Sequence, residues 1–303
     1  MDMTGPIALT GAGGFVGRRL LAQLSPDRYP DVRCLIREPA RLAASLPAPG
    51  WRAVPGTLAD EQALATLVAG AGTVIHLAAT TGKARPAEYA DTNVEGTRRL
   101  VAAARAAGVR RIIALSSVAA GFADQRHYPY ATSKRAMEQV LAEGGVPALI
   151  FRPTMILGDG SPVLKGLRTL AAAPAGVCFG PGRLPVQPVH VDDVAETLAG
   201  ALALPDSTGT VGLGGPEVLP FLDLLRAIRT RVRGQPGPFL HVPLGPVRAA
   251  LALAEPLLFP VLPLTAGQLA SFANPGTVPA EPWPGGLPRP TRPLAAMLSS
   301  LHA

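Results

Sequence analysis

The sequence predicts an α/β protein with a doubly wound parallel sheet and a smaller C-terminal lobe. Three observations support this fold class. A short apolar run at 6–9 enters a glycine-rich turn at 10–17, and a helical stretch at 18–24 follows. Apolar strands and helical stretches then alternate up to residue 115. Glycine and proline, 33 of each in 303 residues, are more frequent in the second half, where we expect long irregular connections.

The turn between the first strand and the first helix is typical of a nucleotide-binding loop. Gly11 allows a sharp turn off the strand, Gly14 allows the backbone to approach a pyrophosphate, and Gly17 allows the helix to pack closely on the sheet. The N-terminus of the helix presents unpaired N–H groups and the positive end of its dipole to the phosphates. The predicted contacts to a dinucleotide are Gly11, Gly13, Gly14, Phe15, Val16 and Gly17.

The second predicted strand, Val32–Ile36, ends where such a fold selects between NAD and NADP. NAD-selective folds place an acidic residue there to bind the ribose hydroxyls. In this sequence Arg37 follows the strand and Arg41 lies a turn later. A guanidinium can clamp a 2′-phosphate through two parallel hydrogen bonds, which favours NADP over NAD. The adjacent Glu38 weakens this preference, and the alternative is that both arginines are solvated surface residues.

Thr57 and Leu58 follow the third predicted strand, 51–54, in the loop that usually passes beneath the adenine. We expect Leu58 to pack on the adenine ring. Thr57 either hydrogen-bonds to the ring or acts only as a turn residue. A helix is predicted at 59–69, with its apolar residues on one stripe.

The fourth predicted strand, 73–77, ends in the small residues Ala78 and Ala79. Small side chains at the carboxyl end of a strand permit the close approach of a ligand, at the edge where open α/β sheets bind one. We therefore predict cofactor contacts at Leu77, Ala78 and Ala79. His76 lies inside the apolar run and is interpreted as a buried, hydrogen-bonded histidine rather than a catalytic base.

A long helix is predicted over 88–107, and a glycine ends it. Asn93 has poor helix propensity, so its position inside this helix suggests a functional role, with a solvated or capping asparagine as the alternative. The fifth strand, Arg111–Leu115, then delivers Ser116 and Ser117 at its carboxyl end.

Tyr130 and Lys134 lie four residues apart at the start of the next predicted helix, which ends near residue 143. Side chains at i and i+4 share one face of a helix, so the phenol and the ammonium point the same way. A nearby ammonium favours the phenolate, so we expect the pKa of Tyr130 to fall below its usual value of about 10. The tyrosine then becomes an acid/base that works near neutral pH, and Ser117 can hold a substrate oxygen against it.

Charge, cysteine content and the N-terminal sequence limit the classes of protein to which this chain is expected to belong. The formal net charge of +7 comes almost wholly from scattered arginines without basic runs, so no nucleic-acid surface is expected. Cys34 and Cys178 have neither disulfide nor metal spacing, so we interpret them as buried thiols and predict no metal site. The N-terminus carries no basic-then-apolar leader, and a cytoplasmic location is expected.

The most apolar stretch is 249–264, which Glu255 and three prolines interrupt. These interruptions argue against a membrane-spanning helix. We interpret the stretch as core-facing or groove-lining, with peripheral membrane contact as the alternative.

Together these motifs resemble the short-chain dehydrogenase/reductase superfamily, and more narrowly its extended and atypical branch, the NAD-dependent epimerase/dehydratase family. The resemblance implies a Rossmann fold. A narrower likeness, at 151–160 and 187–196, is to the atypical group that includes the nucleotide-binding accessory subunit of respiratory complex I. The segments that carry the family resemblance are 10–17, 74–79, 91–97, 116–117, 130–134, 151–154 and 188–194.

By resemblance, Ser117, Tyr130 and Lys134 act together in catalysis. Tyr130 would give or take a proton at a carbonyl or hydroxyl, Lys134 would lower its pKa and bind the nicotinamide ribose, and Ser117 would orient the substrate oxygen. Asn93 matches the asparagine position of the family and would support that site. Arg152–Pro153 follows the sixth strand, where the chain of the family passes the nicotinamide.

Two departures from the family pattern stand out. The family often has a Tyr-Gly pair shortly after the catalytic serine, whereas 119–122 reads Ala-Ala-Gly-Phe. Thr57 replaces an aspartate that is usual after the glycine of the third strand. The first departure concerns the substrate side of the site and the second concerns adenine recognition.

The sequence therefore predicts a dinucleotide-binding domain at 1–155, to which 187–204 returns, and a substrate lobe at 156–186 and 205–303. The leading hypothesis is an NADP-dependent oxidoreductase or epimerase-type enzyme that moves hydride between nicotinamide and a carbonyl or alcohol carbon of a small molecule. The alternative is a non-catalytic nucleotide-binding scaffold or accessory subunit of a membrane or respiratory complex. The apolar composition of the lobe favours an apolar substrate, such as an isoprenoid, a sterol or a lipid-linked sugar, and the oligomeric state stays open.

Overall fold

The computed structural model describes residues 5–38, 46, 48–204, 207–262, 264–279 and 283–301. Its strands are β1 (Ile7–Thr10), β2 (Val32–Ile36), β3 (Arg52–Pro55), β4 (Thr73–His76), β5 (Arg111–Leu115), β6 (Ala148–Pro153), β7 (Ile156–Leu157), β8 (Gly176–Phe179), β9 (Pro185–Val186), β10 (Val189–His190), β11 (Gly209–Leu213), β12 (Leu219–Pro220) and β13 (Phe239–Val242). Its α-helices are α1 (Phe15–Gln23), α2 (Glu61–Val68), α3 (Pro86–Tyr89), α4 (Gly96–Ala106), α5 (Pro129–Glu143), α6 (Pro162–Ala172), α7 (Val191–Ala201), α8 (Phe221–Arg233), α9 (Leu244–Leu258), α10 (Ala266–Ala270) and α11 (Leu294–Met297).

Seven strands form the central sheet in the order β11-β6-β5-β4-β1-β2-β3, and every neighbouring pair is parallel. The strand order reverses between β1 and β4, because the chain runs outward from β1 to β3 and then returns to the other side of β1. Open α/β sheets bind ligands at such a switch point, outside the carboxyl ends of the strands. The fold class predicted from the sequence is confirmed.

Helices cover both faces of the sheet. On one face, α1 and α7 pack against the strands, with Leu20 and Leu198 fully buried. On the other face lie α2, α4 and α5, where Leu64, Leu100 and Met137 are buried. The strands β1 and β4 are buried along their whole length, which explains their continuous apolar runs.

Three segments differ from the prediction. Gly209–Leu213, which the sequence assigns to the lobe, pairs with β6 as the edge strand β11, and only its last residue is buried, so its apolar pattern is weak. Arg152–Pro153 forms the end of β6 rather than following it. The helix predicted over 88–107 divides into α3, a π-helical segment at Ala90–Glu95 and α4.

A second apolar cluster lies around α6 and α8, beyond the carboxyl end of the sheet. Leu164 of α6 and Leu224 of α8 belong to its buried part. The buried guanidinium of Arg229 donates hydrogen bonds to three carbonyl groups around the C-terminal end of α6. Cys34 and Cys178 are both buried thiols, as predicted, and Cys178 lies in β8. In the part of the chain that the structure describes, no helix has the length and apolar character needed to cross a membrane.

Candidate active site

The glycine turn links the end of β1 to the start of α1. Gly11 has φ +76°, and a Cβ there would lie 2.6 Å from the backbone nitrogen of Ala78. A Cβ on Gly17 would collide with the carbonyl oxygen of Gly11, so both positions require glycine. Gly14 is the N-cap of α1, and its N–H donates a hydrogen bond to Gly11 O across the turn at 2.9 Å. A Cβ on Gly13 would meet nothing within 4 Å, so Gly13 and the first residues of α1 form the open edge of the turn.

The end of β4 lies directly beside this turn. The Thr10 hydroxyl accepts a hydrogen bond from the Ala78 backbone N–H at 3.2 Å, and Leu77 N–H donates to Thr10 O at 3.2 Å. These bonds hold Leu77, Ala78 and Ala79, all half-buried, at the switch point of the sheet. Their position agrees with the sequence prediction, and their contact with a cofactor stays a prediction.

The residues expected on the adenine side have more local roles. Thr57 Oγ1 accepts a hydrogen bond from Ala59 N–H at 3.2 Å within the turn before α2. Leu58 is only 7% exposed and packs so closely on Gly96 that a Cβ there would lie 2.9 Å from Leu58. Arg37 is exposed directly after β2, and Arg41 lies outside the described residues. Contacts of Arg37, Thr57 and Leu58 with a nucleotide therefore stay predictions.

Ser117, Tyr130 and Lys134 lie together at the carboxyl end of β5. Ser117 begins a 3-10 turn, Val118–Gly121, and accepts a hydrogen bond from Ala119 N–H at 3.2 Å. Its side chain also lies close enough to the hydroxyl of Tyr130, the second residue of α5, to influence the pKa of that hydroxyl. Lys134 is 2% exposed, and its ammonium donates to Leu115 O at 2.8 Å, the last residue of β5.

Burial determines the pKa values of these two groups. Desolvation raises the pKa of Tyr130 to about 12, and the nearby Ser117 side chain opposes this shift. The prediction that Lys134 brings the pKa of Tyr130 below 10 is therefore wrong. Desolvation also lowers the pKa of Lys134 to about 8, because its ammonium is held inside the protein. Sequence spacing places Tyr130 and Lys134 on one face of the helix, but the solvation of each group depends on the tertiary fold.

Asn93 is fully buried in the π-helical segment and makes three hydrogen bonds. Its amide nitrogen donates to Thr80 O at 3.1 Å and to Ser133 Oγ at 2.9 Å, and its oxygen accepts from Thr80 N–H at 2.8 Å. Ser133 in turn donates to the carbonyl oxygen of Tyr130 at 2.8 Å. Asn93 thus joins the loop after β4 to the first turn of α5, and a direct catalytic role stays a prediction.

His76 is buried, as expected, and takes part in a chain of hydrogen bonds that the sequence does not reveal. Thr97 Oγ1 donates to Asn93 O at 2.7 Å, so it accepts a hydrogen bond from His76 Nε2–H at 2.9 Å. His76 Nδ1 then accepts from the Thr10 hydroxyl at 2.7 Å. Burial, together with the charge of Lys134, lowers the pKa of His76 to about 3, so the ring is neutral. This series of hydrogen bonds connects the glycine turn to Asn93.

Arg152 turns toward α5. Its guanidinium binds Glu138 through two hydrogen bonds of 2.9 and 2.6 Å, and Glu138 is only 8% exposed. Pro153 is buried and lies opposite Leu213 of β11. The expected contact of Arg152–Pro153 with nicotinamide stays a prediction, since the structure shows this pair joining β6 to its neighbours.

Two aromatic residues that the sequence analysis did not select stand beside Tyr130. The rings of Tyr89 and Tyr128 each lie 5.9 Å from the Tyr130 ring, between centroids. Tyr128 precedes Tyr130 by two residues, whereas Tyr89 is the last residue of α3. Only the fold brings Tyr89 here, and no spacing pattern indicates it.

The fold and this site define a dinucleotide-binding type of α/β protein with a serine, a tyrosine and a lysine at the carboxyl edge of its sheet. A model of the NAD dependent epimerase/dehydratase family matches residues 7–212, and the chain belongs to this family. The family prediction is confirmed. The narrower likeness to the accessory subunit group of complex I is not supported by these comparisons and stays a prediction.

Three curated relatives are reductases by name. The chain is 36% identical over 203 residues to ceramide reductase of Caulobacter vibrioides, which covers 65% of this chain and 61% of that protein. It is 30% identical over 254 residues, 82% of both proteins, to (4-alkanoyl-5-oxo-2,5-dihydrofuran-3-yl)methyl phosphate reductase of Streptomyces griseus. It is 29% identical over 278 residues to 4-hydroxy-2-methyl-3-oxo-4-farnesyl-3,4-dihydroquinoline-1-oxide ketoreductase of Stigmatella aurantiaca, covering 84% of this chain and 81% of that protein.

Two solved structures are similar in fold. The crystal structure of gox2253 matches 97% of this chain and 96% of its own, with a TM-score of 0.75 and 27% identity. A short-chain dehydrogenase/reductase superfamily protein from Agrobacterium tumefaciens, solved with bound NAD, matches 78% of this chain and 85% of its own, with a TM-score of 0.61 and 25% identity.

Proposed function

We propose that this chain is an NAD(P)-dependent oxidoreductase that moves hydride between nicotinamide and a carbonyl or alcohol carbon, with Tyr130 as the acid/base. The observation that carries the proposal is that the Ser117 side chain lies close enough to the Tyr130 hydroxyl to lower its pKa, one helical turn from the buried Lys134 and at the same sheet edge as the glycine turn. Three relatives named as reductases support the reaction class.

The glycine turn fits a dinucleotide. The open edge at Gly13 leaves space against the backbone, and the free N–H groups of α1 lie beside it. When bound, a nicotinamide supplies or accepts the hydride. The protein's own residues orient the substrate and move the proton.

The protonation states favour the reducing direction. With a pKa of about 12, Tyr130 carries its proton at neutral pH and can donate it to a carbonyl oxygen that Ser117 holds. Hydride addition to the carbonyl carbon and proton transfer from Tyr130 to its oxygen together give the alcohol and a phenolate. Lys134, with a pKa of about 8, is mostly charged at pH 7 and stabilises that phenolate, which then regains a proton from solvent.

We propose NADP as the preferred form, with NAD as the alternative. The support is Arg37, which is exposed directly after β2, where a 2′-phosphate would lie. The Agrobacterium tumefaciens neighbour was solved with NAD, and that likeness favours the alternative.

We also propose an apolar carbonyl compound as substrate. The alkanoyl, farnesyl and ceramide groups in the names of the three relatives support this class. The predicted lobe at 205–303 agrees with it through its alanine, leucine and proline content.

The test is Tyr130→Phe in a screen of apolar carbonyl compounds with NADPH and NADH. We expect turnover to fall by about 100-fold or more while calorimetric binding of the nucleotide is unchanged. Tyr29→Phe, the same chemical change far from the site, serves as the control. Full turnover by the Tyr130→Phe variant would show that Tyr130 is not the acid/base of the reaction.

The second candidate function is a nucleotide-binding scaffold without turnover. The exposed apolar helix α9 favours it, because such a surface suits assembly with another component. Nucleotide binding without hydride exchange on any carbonyl compound of the screen would support the scaffold.

A further inference from the structure

The helix α9 presents an apolar face to solvent. None of its residues is buried, and the side chains of Leu253 and Leu257 are 82% and 86% exposed. Val261, one turn beyond the helix, is 76% exposed. The interpretation of this stretch as core-facing is therefore wrong, and its leucines need another explanation.

The polarity of α9 is reversed relative to an ordinary surface helix, which turns its charged side toward water. Arg248 and Glu255, its charged residues, are half-buried on the inner side. Glu255 caps α10 by accepting a hydrogen bond from Ala266 N–H, and Arg248 lies close enough to contribute, after Arg126, to lowering the pKa of Asp124. The outward stripe is uncharged and consists of Pro246, Ala249, Ala250, Leu253, Pro256, Leu257 and Val261.

This face adjoins the candidate active site. Lys83 donates hydrogen bonds to Pro260 O at 3.3 Å and Leu262 O at 2.6 Å, just after α9, and its ammonium lies 4.9 Å from the centre of the Phe259 ring. Arg85 lies 5.3 Å from the same ring. Both cations belong to the loop after β4, which Asn93 holds through Thr80.

The dimensions of α9 suit the surface of a bilayer rather than its interior. A helix of 15 residues is about 22 Å long, which is less than the roughly 30 Å of hydrocarbon that a spanning helix must cross. A helix with an apolar face and adjacent cations binds in the plane of the interface, with its apolar side chains among the acyl chains.

We propose that the outward face of α9 docks on an anionic phospholipid bilayer. The leucines would enter the acyl region, while Lys83, Arg85 and Arg248 lie near the headgroups. Three carboxylates also lie on this side: Glu88 accepts a hydrogen bond from Arg85 N–H, Glu255 caps α10, and the charge of Asp124 is offset by its ion pair with Arg126. Docking here would bring an apolar substrate to the mouth of the site from the membrane.

The test is sedimentation of the full chain with phosphatidylcholine vesicles that contain phosphatidylglycerol, and with pure phosphatidylcholine vesicles. We expect binding to the anionic vesicles that weakens with added salt. Leu253→Gln with Leu257→Gln should reduce the partition coefficient by about tenfold or more. Val163→Gln with Val218→Gln removes two other exposed apolar side chains, 44% and 59% exposed, and should bind as the wild type does.

Two outcomes would overturn the proposal. One is wild-type protein that stays in the supernatant with both kinds of vesicle. The other is a monodisperse dimer, by analytical ultracentrifugation, that the α9 double variant dissociates, since the face would then contact a second copy of the chain. The measurement uses neither substrate nor cofactor, so its result is independent of the proposed reaction.

Discussion

His76 donates a hydrogen bond from Nε2 to Thr97 Oγ1 over 2.9 Å, and this bond joins the end of β4 to the helical segment that carries Asn93. Thr97 Oγ1 in turn donates a hydrogen bond to Asn93 O, and the Thr10 hydroxyl donates to Nδ1, the other nitrogen of the imidazole ring. The glycine turn and the loop after β4 are therefore positioned by one buried series of hydrogen bonds, which is called the His76 chain of hydrogen bonds below. Because each member is satisfied, the His76 chain of hydrogen bonds stabilises a single arrangement of the site.

His76→Phe tests the His76 chain of hydrogen bonds. The variant loses both ring hydrogen bonds and should lower the free energy of unfolding by about 1–3 kcal/mol at pH 7, measured by urea titration. The folded pKa of His76, about 3, lies below the ordinary 6.5, so the stabilising effect of the neutral ring is complete above pH 6.5 and is lost as the pH falls toward 3. The difference between wild type and variant should therefore shrink with acid. A constant difference would contradict the neutral ring, and His241→Phe, at an exposed histidine, should show little effect at any pH.

Lys134 should set the alkaline limit of reduction. Its pKa of about 8 means that it loses its charge above that pH, and the phenolate formed on Tyr130 then loses its stabilising partner. We expect kcat/KM for reduction to level off below pH 8 and to fall above it. Lys134→Met should lower kcat/KM by about 100-fold and remove the alkaline decline, whereas Lys165→Met, at an exposed lysine, should change neither. If kcat/KM of the Lys134→Met variant still falls above pH 8, a group other than Lys134 causes the alkaline decline.

Gly13→Ala and Gly11→Ala separate binding from folding. A Cβ at Gly13 meets open space, so the melting temperature should stay within a degree or so while nucleotide affinity falls by about tenfold or more, about 1.4 kcal/mol. A Cβ at Gly11 would collide with Ala78, and the positive φ of this position strains any residue other than glycine. The Gly11→Ala variant should therefore lose stability as well as nucleotide affinity. Differential scanning calorimetry with isothermal titration measures both. Full affinity in Gly13→Ala would place the nucleotide elsewhere.

Arg37→Gln tests the choice of cofactor. If Arg37 clamps a 2′-phosphate, wild type should bind NADPH about tenfold more tightly than NADH, and the variant should lose this preference without weaker NADH binding. Calorimetric titration with each nucleotide measures the effect, and Arg52→Gln, at an exposed arginine of β3, is the control. Equal wild-type affinities would make NAD the working cofactor.

Much of the site follows from short-range patterns in the sequence. The turn at 10–17, the strand ends at 78–79 and 116–117, and the spacing of Tyr130 and Lys134 each depend on neighbours along the chain. Parallel strands place their carboxyl ends at one edge, so the prediction of a parallel sheet was enough to expect these segments at the same edge.

What the sequence by itself determined is the fold class and the family, and it supplied the residues that are predicted for the candidate site, because these depend on local spacing and on apolar periodicity. The tertiary structure alone decided that burial raises the pKa of Tyr130, that His76 bridges Thr10 and Thr97, and that α9 turns its leucines outward. Solvation and long-range hydrogen bonds depend on which distant segments surround a group. That information is absent from the spacing of residues along the chain.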